Sequence, residues 1–547
     1  MPKLSPQNPI AYFSAEYGIE SQLPFYAGGL GVLSGDTIKA MGDLNVPFTG
    51  VGLLYRGERM IQEIDSTGMQ VERDMEFDPV SAGLEHVYLD DRPLFIKVHL
   101  TELDVWVRVW KKTFSENVVL YLLDTDTDQN QLQERSITHG LYIGTEGTSI
   151  KQQFILGIGG IKVLTALGIH PAVYHINEGR PAFLFWQLIR TYMMVHGMNY
   201  QEAYELAQTK VVYTNHTLVA AGNNTIQVDF LKRYAQYYAE KMGITIDQLL
   251  EKGIKKDPKV FSMTTFGLNI SRKASGVSSF HTELSKKIWP EYSWVNITNG
   301  VHLPTWQNEE VRNCSLENDD LWHVHQKKKQ ELSDYVKQRT SFGFDPNRLV
   351  ITWARRLAGY KRLPNLFDDI ELLRKILRDS NRPVQLLVAG KAHISDKQGK
   401  LMLQGVIKHM AKELSDYSLF IPNYDLELAQ KLVAGSDLWL NIPEIGKEAC
   451  GTSGMKAVSN GVIQCTVPDG WAAEVDWSGA GWTLESENIS ENVYKKLQEE
   501  IIPTFYDRDA NGVPQNWLNM MKKSVELCGR FSAKRMMTEY REKLYEL

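Results

Sequence analysis

Short apolar runs alternate with longer amphipathic runs along most of the chain. In the first half, the runs PIAYFSA, VPFTGVGLLY, AVYHIN and KVVYTNHT predict buried strands. The runs TSIKQQFILGIGGIKVLTALG and PAFLFWQLIRTYMMV have the apolar spacing that is typical of helices. Because strands that alternate with helices form parallel sheets, we expect an α/β domain here. Between residues 94 and 124 the apolar runs follow one another directly, which predicts antiparallel strands inserted into that domain.

A second alternating series begins near residue 348, with the apolar runs RLVITWA, VQLLVAG, LFIPN, DLWLNI and GVIQCTV. This series is typical of a Rossmann-like, doubly wound domain, in which ligands bind at the carboxyl ends of the strands. A length of 547 residues exceeds what one core holds, roughly 250–300 residues. We therefore predict an N-terminal Rossmann-like domain (1–300), a C-terminal one (301–530) and a helix (531–547) that packs back on the first domain. The two domains are expected to face each other across an active-site cleft.

Composition and charge narrow the classes of partner. Apolar residues make up 43% and charged residues 23% of the chain, the net charge is −6 and the pI is about 6.2. These values give no reason to expect nucleic acid or a membrane surface as a partner. We find no signal-peptide pattern and no long apolar span, and Cys314, Cys450, Cys465 and Cys528 form no CxxC pair. We expect a cytoplasmic protein without a metal site, in which an anionic substrate would need a local cluster of Arg and Lys.

The segment Glu444–Gly461, EIGKEACGTSGMKAVSNG, follows a predicted strand and opens a predicted helix. Its turn, residues 451–454, would place backbone N–H groups at a helix N-terminus, where anions bind. Thr452 and Ser453 add hydroxyl donors, and Lys456 follows one turn into the helix. A phosphate beside an amine suggests a phosphorylated aldehyde cofactor held as a Schiff base. The alternative is an ordinary helix start with a solvated lysine, because glycine-rich helix starts are common.

A basic cluster follows the first strand of the second series. The segment WARRLAGYKR contains Arg355, Arg356, Lys361 and Arg362 within eight residues. Arginine grips phosphate with two N–H groups and lysine acts as a point charge, so the cluster predicts a phosphate site. The alternative is a solvated basic loop.

Three further segments carry weaker signals. His216 follows the strand KVVYT, although a single histidine at a strand end is more often structural. The segment VNITNGVHLPTW contains Asn299 and Trp306. In AGGLGVLSGD, Gly29 and its neighbouring glycines would let the backbone approach a ligand closely.

Together these segments resemble the α-glucan (glycogen, starch and maltodextrin) phosphorylase family. The match to E-A-S/C-G-T-x-x-M-K at residues 448–456 is specific, and YTNHT, TNGV…W, R-x4-YKR, GGLG and DGW agree in order between residues 10 and 475. The resemblance implies a GT-B type glycosyltransferase fold and retaining phosphorolysis of terminal α-1,4-linked glucose. Glycogen, starch or maltodextrin and inorganic phosphate would be the substrates, and glucose 1-phosphate the product. It also implies pyridoxal 5′-phosphate, whose phosphate relays a proton, and the homodimer that is common in the family.

The resemblance assigns a role to each matching residue. The expected cofactor-binding residues are Lys456, which would form the Schiff base, and Thr452, Ser453, Arg355, Tyr424 and Trp306. The expected substrate-binding residues are Glu448, Ala449, Cys450, Gly451, Asn299, His216 and Gly29. The expected catalytic residues are Lys456, Arg356, Lys361 and His216. Arg356, Lys361 and the Gly29 backbone would bind the substrate phosphate, while His216 and Asn299 would hold the 6-hydroxyl of the terminal glucose. No pair of catalytic carboxylates is required, unlike in a hydrolase.

The chain departs from the family pattern at several positions. The family usually reads N-D-x-H-P where this chain reads NEGRP from residue 177, so Glu178 and Arg180 leave the acceptor preference open. A basic residue is usual at position 425, where this chain has Asp425, and Arg362 would compensate for it. Cys450 stands where serine is common, a mild change if only its backbone binds. The chain lacks the long N-terminal region of the animal and plant enzymes, so we expect their phosphorylation and nucleotide switches to be absent in that form.

Two other functions stay open at this point. A nucleotide-sugar glycosyltransferase, such as a glycogen or starch synthase, shares the architecture, a GGLG loop and an Arg/Lys pair. In that group the equivalent segment carries two glutamates separated by seven residues, whereas here Lys456 stands eight positions after Glu448. A lysine there has a use with pyridoxal phosphate. A non-catalytic glucan-binding relative would have kept the fold and lost the chemistry, but Lys456, the turn at residues 451–454 and the basic cluster are all intact.

Overall fold

The computed structural model describes residues 3–23, 25–57, 61–73, 77–142, 144–218, 224–255 and 257–547. These residues form two compact units. The first consists of Met1–Arg59, Asp74–Thr298 and Met536–Leu547, and the second of Met60–Arg73 and Asn299–Arg535. The apolar pattern did not indicate that Met60–Arg73 belongs with the second unit. None of the described helices is long and apolar enough to cross a membrane.

The strands of the described residues are numbered in chain order. They are β1 (Ile10–Phe13), β2 (Phe48–Leu53), β3 (Ile61–Ile64), β4 (Gln70–Arg73), β5 (Glu85–His86), β6 (Tyr88–Leu89), β7 (Arg92–Pro93), β8 (Phe95–Leu100), β9 (Leu103–Ser115), β10 (Val118–Asp124), β11 (Val173–Asn177), β12 (Val211–Thr214), β13 (Thr225–Gln227), β14 (Val260–Ser262), β15 (Lys273–Gly276), β16 (Trp294–Asn296), β17 (Leu349–Ala354), β18 (Val384–Ala389), β19 (Ser418–Ile421), β20 (Leu438–Asn441), β21 (Ile463–Thr466) and β22 (Gly481–Thr483).

The α-helices are numbered in the same way. They are α1 (Gly29–Asp43), α2 (Leu132–Arg135), α3 (Glu146–Phe154), α4 (Gly160–Ala166), α5 (Leu184–His196), α6 (Tyr200–Lys210), α7 (Val228–Met242), α8 (Ile246–Leu250), α9 (Met263–Asn269), α10 (Ser279–Ile288), α11 (Leu303–Trp306), α12 (Glu309–Asn313), α13 (Asp320–Thr340), α14 (Ile370–Leu377), α15 (Lys397–Glu413), α16 (Leu426–Gly435), α17 (Ser453–Val458), α18 (Ile489–Lys496), α19 (Ile502–Tyr506), α20 (Gln515–Glu526) and α21 (Ala533–Glu539).

The main sheet of the first unit is mostly parallel. Its strands lie in the order β16–β15–β12–β11–β1–β2–β10–β9–β5, and β8 also pairs with β9. Neighbours from β16 to β10 are parallel, whereas β9 is antiparallel to β10, β8 and β5. The predicted antiparallel strands between residues 94 and 124 are therefore confirmed, although β10 also joins the parallel part. Chain order reverses between β1 and β11, so the loops after these strands meet at the carboxyl edge of the sheet.

Burial explains why these runs form strands and helices. β1, β2 and β11 are buried at every position, as expected for parallel strands that are covered on both faces. Helix α7 buries Val228, Leu231, Ala235 and Met242, a spacing of three, four and seven that keeps one stripe toward the core. Each large apolar side chain removed from water contributes about 1.5–3 kcal/mol.

The main sheet of the second unit is entirely parallel, in the order β19–β18–β17–β20–β21–β22. β17 and β18 are buried at every position, and Trp353 and Trp517 belong to the core around them. Chain order runs outward from β17 to β19 on one side and from β20 to β22 on the other. The loops that follow β17 and β20 therefore meet at the carboxyl edge. The α/β class with parallel sheets is confirmed.

Two helices differ from the sequence pattern. α1 begins at Gly29, so most of the glycine-rich segment AGGLGVLSGD is helical. Within it, a Cβ at Gly35 would lie 2.0 Å from the carbonyl oxygen of Gly18, so this glycine allows a close approach. The long helix predicted from residue 148 is formed by α3 and α4, joined by the π-helical turn Ile155–Gly159. In that turn, a Cβ at Gly157 would lie 2.5 Å from the backbone nitrogen of Leu184, so α5 packs tightly against it.

The final helical segment packs within the first unit. The Tyr545 hydroxyl lies 2.7 Å from Nδ1 of His175, in β11. Arg272 donates to Glu546 over 2.6 Å. These contacts explain why Met536–Leu547 groups with the first unit, after the chain has completed the second.

Candidate active site

The basic cluster and the lysine motif lie on neighbouring loops of the second unit. Arg355 directly follows β17, and residues 442–452 connect β20 to α17. Because chain order reverses between β17 and β20, the two loops lie side by side at the carboxyl edge of the sheet. The two most informative motifs of the sequence therefore meet in one place.

Arg355 is the buried cation of the basic cluster, with 5% of its surface exposed. Its Nη2 donates to Ser453 Oγ over 3.1 Å, and its Nη1 lies 3.5 Å from Glu448 Oε2. Its buried Nε has no hydrogen-bond partner among the described residues. A buried guanidinium with an unused donor is suited to an anionic ligand, because unmade buried hydrogen bonds are costly.

Lys361 and Glu448 form a largely buried ion pair. The Lys361 Nζ donates to Glu448 Oε2 over 2.6 Å, and the two side chains are 11% and 10% exposed. Burial lowers the pKa of Lys361 to about 8. Burial opposes ionisation of Glu448, but Lys361 and Arg355 lower its pKa overall, so it stays ionised at neutral pH. The exposed Arg356 lies near enough for its charge to act on both groups.

Two residues near the basic cluster make structural contacts. The guanidinium of Arg362 donates over 2.5–2.8 Å to the carbonyls of Ile442, Pro443 and Ser486. Asp425 accepts from Arg339 over 2.9 Å and from the Leu428 N–H over 2.8 Å, at the start of α16. The guanidinium of Arg362 therefore braces the loop after β20, and it is not available to compensate for Asp425 as we expected.

Lys456 lies in α17, one turn after the start of the helix, and is 8% exposed. Its Nζ is 3.7 Å from the centroid of the Trp306 ring. A cation over the face of an indole ring is held electrostatically. The amine is therefore buried beside an aromatic surface, which argues against a solvated lysine at an ordinary helix start.

Asn460 aligns Lys456 with Trp306, a role that the motif containing it did not indicate. Its Nδ2 donates to the Trp306 carbonyl over 2.8 Å and to the Lys456 carbonyl over 3.0 Å. Its Oδ1 accepts from the Asn308 N–H over 2.8 Å. One buried amide thus holds the end of α17 against the segment after α11. The only local signal is the tripeptide SNG, which is typical of a helix end.

The DGW segment supports the loop that carries Glu448. Gly451 has a φ of +81° and Gly470 a φ of +56°, conformations that favour glycine. A Cβ at Gly470 would lie 2.4 Å from the carbonyl oxygen of Cys450. Asp469 accepts from the Glu448 N–H over 3.0 Å. The sequence by itself assigned no role to the DGW match. These contacts show that it supports the loop structurally.

Asn299 and Cys450 contact each other in the second unit. The Asn299 N–H donates to the Cys450 sulfur, and burial raises the pKa of that thiol. Asn299 is 4% exposed, and its Oδ1 has no hydrogen-bond partner in the described part of the chain. A buried acceptor without a donor is costly unless a ligand or water supplies one. Asn299 therefore has the chemistry to accept from a ligand hydroxyl.

Three further predicted residues lie on loops of the second unit, Tyr424 after β19 and the other two after β20. Burial raises the pKa of Tyr424, and the charge of Arg355 acts against that shift, so the phenol lies near this guanidinium. Thr452 occupies the N-cap position of α17 and makes no capping hydrogen bond there. Ala449 is half-buried in the loop between Glu448 and α17.

In the first unit, His216 lies just past β12, with its Nε2 2.6 Å from Asn177 Oδ1. The amide nitrogen of Asn177 donates to the hydroxyls of Ser14 and Ser34, over 3.2 and 3.1 Å, so its oxygen faces the imidazole. Burial lowers the pKa of His216 to about 3, so the ring is neutral at physiological pH. Nε2 then carries the proton, and Nδ1 is left as an acceptor that suits a ligand hydroxyl.

Glu178, one of the departures from the family pattern, supports the His216 segment. It has a φ of +67°, and its Oε1 accepts from the His216 N–H over 2.5 Å. Burial raises the pKa of Glu178 to about 7. The sequence associated this position with acceptor preference only, because the contact joins loops after two different strands.

Gly29 is the first residue of α1, at the same carboxyl edge of the first sheet. Apart from its chain neighbours and the adjacent backbone of α1, no atom of the described residues lies within 4 Å of the position that a Cβ would take at Gly29, so the backbone is open there. Amides in the first turn of a helix have no partner within the helix. The Gly29 backbone can therefore donate to a ligand.

These groups define a class of site. In the part of the chain that the structure describes, the second unit presents a buried amine, a guanidinium with an unused donor, a lysine–carboxylate pair and an unpaired amide oxygen at one sheet edge. Such donors and acceptors suit a phosphorylated ligand together with a polyhydroxyl one. In the described ranges, no group of three or more His, Cys, Asp or Glu side chains is placed to hold a metal ion.

Comparison with known proteins gives the family. The sequence model of the carbohydrate phosphorylase family matches residues 307–479, which include the basic cluster and the lysine motif. The chain is 35% identical to the maltodextrin phosphorylase of Thermococcus litoralis, over 98% of this chain and 70% of that protein. It is 32% identical to the glycogen phosphorylase of Aquifex aeolicus, over 98% of this chain and 86% of that protein. The chain is also 30% identical to an uncharacterised protein of Methanocaldococcus jannaschii, over 98% of this chain and 100% of that protein. The chain belongs to the carbohydrate phosphorylase family, which confirms the resemblance found in the motifs.

Proposed function

We propose that this protein releases terminal α-1,4-linked glucose from an α-glucan by retaining phosphorolysis, and that the product is α-D-glucose 1-phosphate. The names of the relatives from Thermococcus and Aquifex support this substrate class. The observation that carries the proposal is the convergence of Arg355, Lys361 and Lys456 at one edge of the second sheet. Two phosphate groups that lie close together need such a concentration of positive charge.

We infer that the cofactor is pyridoxal 5′-phosphate, because the residues present fit this group. Lys456 would hold its aldehyde carbon, and Trp306 would pack beside its ring. Arg355, with its unused Nε, and Ser453 would hold its phosphate, with Thr452 and Tyr424 nearby. When bound, the cofactor supplies a phosphate group that exchanges a proton with the substrate phosphate.

The substrate phosphate would bind to Arg356, Lys361 and the Gly29 backbone. An incoming phosphate would compete with Glu448 for the Lys361 amine, since both anions bind this cation. Repulsion between the two anions then favours displacement of the carboxylate. The displaced Glu448 carboxylate can then accept from hydroxyls of the terminal glucose, helped by the backbone of Ala449, Cys450 and Gly451. Arg356 and Lys361 would hold the phosphate where it donates a proton to the leaving glucan oxygen and then attacks the anomeric carbon. The negative charge of the phosphate stabilises the positive charge that develops on the sugar, so no pair of catalytic carboxylates is needed.

The 6-hydroxyl of the terminal glucose would donate to His216 and Asn299. His216 offers Nδ1, because Nε2 is committed to Asn177. Asn299 offers Oδ1, which has no other partner among the described residues. The assignment of both residues to one hydroxyl rests on the family resemblance.

The finer architecture is also a proposal. We infer from the resemblance a GT-B type fold with two facing Rossmann-like domains, residues 1–300 and 301–530, an active-site cleft and a C-terminal helix at 531–547. The strand orders of the two parallel sheets support this interpretation. A homodimer and a cytoplasmic location stay predictions from the sequence.

The test combines a spectrum with a product assay. We expect the purified protein to carry a pyridoxal chromophore that borohydride fixes on the peptide containing Lys456. We also expect α-D-glucose 1-phosphate from maltooligosaccharide and inorganic phosphate. A protein without the chromophore, even after incubation with pyridoxal phosphate, would contradict the proposal, and nucleotide sugars would then be tested as donors. A protein that carries the chromophore and binds glucan but releases no product would be a non-catalytic relative.

A further inference from the structure

Glu16 is a buried carboxylate that the proposed mechanism does not use. It follows β1 at the carboxyl edge of the first sheet and is 3% exposed. Its Oε2 accepts from the N–H groups of Ala27 over 2.8 Å and Gly28 over 3.3 Å. These two residues directly precede α1, which begins at Gly29. Glu16 therefore fastens the backbone that leads into the helix.

The packing around Glu16 leaves this segment little freedom. A Cβ at Gly31 would lie 2.8 Å from the Glu16 Cβ and 2.9 Å from its Oε2, so glycine allows α1 to approach the carboxylate. The Gly31 carbonyl also accepts from the Gly18 N–H over 2.7 Å. Because Glu16 takes the amides of residues 27 and 28, the next amide in the chain, that of Gly29, remains for a ligand.

Tyr142 holds the other side of Glu16, and Arg180 packs on Tyr142. The Tyr142 hydroxyl donates to Glu16 Oε1. Burial and the Glu16 charge raise the pKa of Tyr142, so the phenol keeps the proton that it donates. The guanidinium carbon of Arg180 lies 4.4 Å from the centroid of the Tyr142 ring. Arg180, a departure from the family pattern, thus stacks on the ring that orients the carboxylate.

The charges of this cluster are balanced. An isolated carboxylate beside Gly29 would repel a phosphate bound there. Hydrogen bonds from Ala27, Gly28 and Tyr142 spread its charge, and Arg180 brings a positive charge into the cluster. A histidine at position 180 would be mostly neutral at pH 7 and would not supply this charge.

We propose that Glu16, Tyr142 and Arg180 are positioning residues for the substrate phosphate, because together they fix the backbone that presents the Gly29 N–H. The proposal rests on the proposed function, in which Gly29 binds that phosphate. None of the three residues touches a reacting atom, and each acts through the segment before α1.

The test compares Tyr142→Phe with the matched control Tyr238→Phe in the holoenzyme. Tyr238 is another buried tyrosine of the first unit, and its hydroxyl donates to the His99 carbonyl over 2.9 Å. Calorimetry gives the Kd for inorganic phosphate, and steady-state rates give kcat and the KM for phosphate and for glucan. We expect Tyr142→Phe to raise the Kd and KM for phosphate about tenfold, as for one lost hydrogen bond to a charged group. The KM for glucan and the Tm should stay near those of Tyr238→Phe.

Arg180→His provides a second variant that leaves the Tyr142 hydroxyl in place. It should also raise the KM for phosphate, most strongly at low ionic strength, because salt screens the lost charge. If both variants bind phosphate as tightly as Tyr238→Phe while phosphorolysis proceeds, the inference is overturned and the proposed function stands. A wild-type holoenzyme that binds no phosphate would overturn both. If Tyr142→Phe fails to fold, the phosphate affinity of Arg180→His decides whether the inference stands.

Discussion

The Nζ of Lys456 lies 3.7 Å from the centroid of the Trp306 ring, within the second unit. The two residues are only 8% and 3% exposed. The amide of Asn460 donates to both of their backbone carbonyls, which fixes the position of one residue relative to the other. The amine is thereby held beside a flat aromatic surface, a position that suits reaction with the aldehyde of a planar cofactor.

Lys456→Arg should remove the pyridoxal chromophore and reduce phosphorolysis to the background of the assay. Arginine keeps the positive charge beside Trp306, but its guanidinium does not form the covalent link that a lysine amine forms. The absorbance spectrum and the release of glucose 1-phosphate give the measurement. Lys447→Arg, at an exposed position of the loop that leads into α17, is the control and should behave as the wild type. A chromophore that persists in Lys456→Arg would show that another lysine holds the cofactor.

The affinity for phosphate should fall as the pH rises above 8. Burial lowers the pKa of Lys361 to about 8, so the amine loses its charge above that pH and no longer attracts phosphate. The KM for phosphate should then rise by up to about tenfold per pH unit, as expected for one ionisation. Lys361→Arg should flatten this rise, because a guanidinium stays protonated throughout. The measurement is the KM for phosphate between pH 7 and 10, and parallel profiles of the two proteins would rule out Lys361 as the titrating group.

Glu178 should make the protein less stable as the pH rises from about 4.5 to about 7. Burial raises the pKa of Glu178 to about 7 in the folded protein, whereas an unfolded glutamate ionises near 4.3. In this range the folded state keeps a proton that the unfolded state has lost, so stability falls with pH and levels off above 7. Thermal unfolding of wild type and Glu178→Gln at pH 5, 6, 7 and 8 gives the measurement.

The Tm of the wild type minus that of Glu178→Gln should decrease as the pH rises, because glutamine stays neutral at every pH. Glu102→Gln, at an exposed turn between β8 and β9, is the control and should show no such trend. An equal Tm difference at all four pH values would show that Glu178 is already ionised at pH 5.

Asp437→Asn should destabilise the second unit by about 3–5 kcal/mol, because it leaves a buried charge without its counter-ion. Asp437 and Lys329 are both fully buried, with their charged atoms 2.5 Å apart. His325 lies 2.8 Å from the other carboxylate oxygen. The midpoint of denaturant unfolding gives the measurement, with the exposed Asp416→Asn as the control. The second change Lys329→Met should recover part of the loss, and a double variant no better than Asp437→Asn would contradict the charge argument.

Strands and motifs could be predicted because their signals are local. The run RLVITWA is apolar throughout and forms β17, which is buried at every position. The spacing from Glu448 to Lys456 is likewise a property of one short segment. The expectation for Arg362 failed for the opposite reason. Its guanidinium binds carbonyls 80 or more positions ahead, at Ile442 among others, and no local pattern records that contact.

Almost no local sequence pattern identifies the residues that support the site. Asn460 reaches Trp306 across 154 positions, and Glu16 reaches Tyr142 across 126. An asparagine or glutamate in a loop is ordinary, so its value depends entirely on what folding brings beside it. The same holds for Glu178, whose raised pKa follows from burial against the His216 segment.

Local sequence was therefore enough for the elements, the lysine motif and the basic cluster, since apolar spacing and adjacent residues act over a few positions. It did not determine that the loops after β17 and β20 meet, because strand order depends on pairings between distant segments. Nor did it determine the electrostatic state of the site. Lys361 has a pKa near 8 and pairs with Glu448, 87 positions away, because packing removes both side chains from water. Desolvation is the sum of many long-range contacts, and only the folded chain contains them.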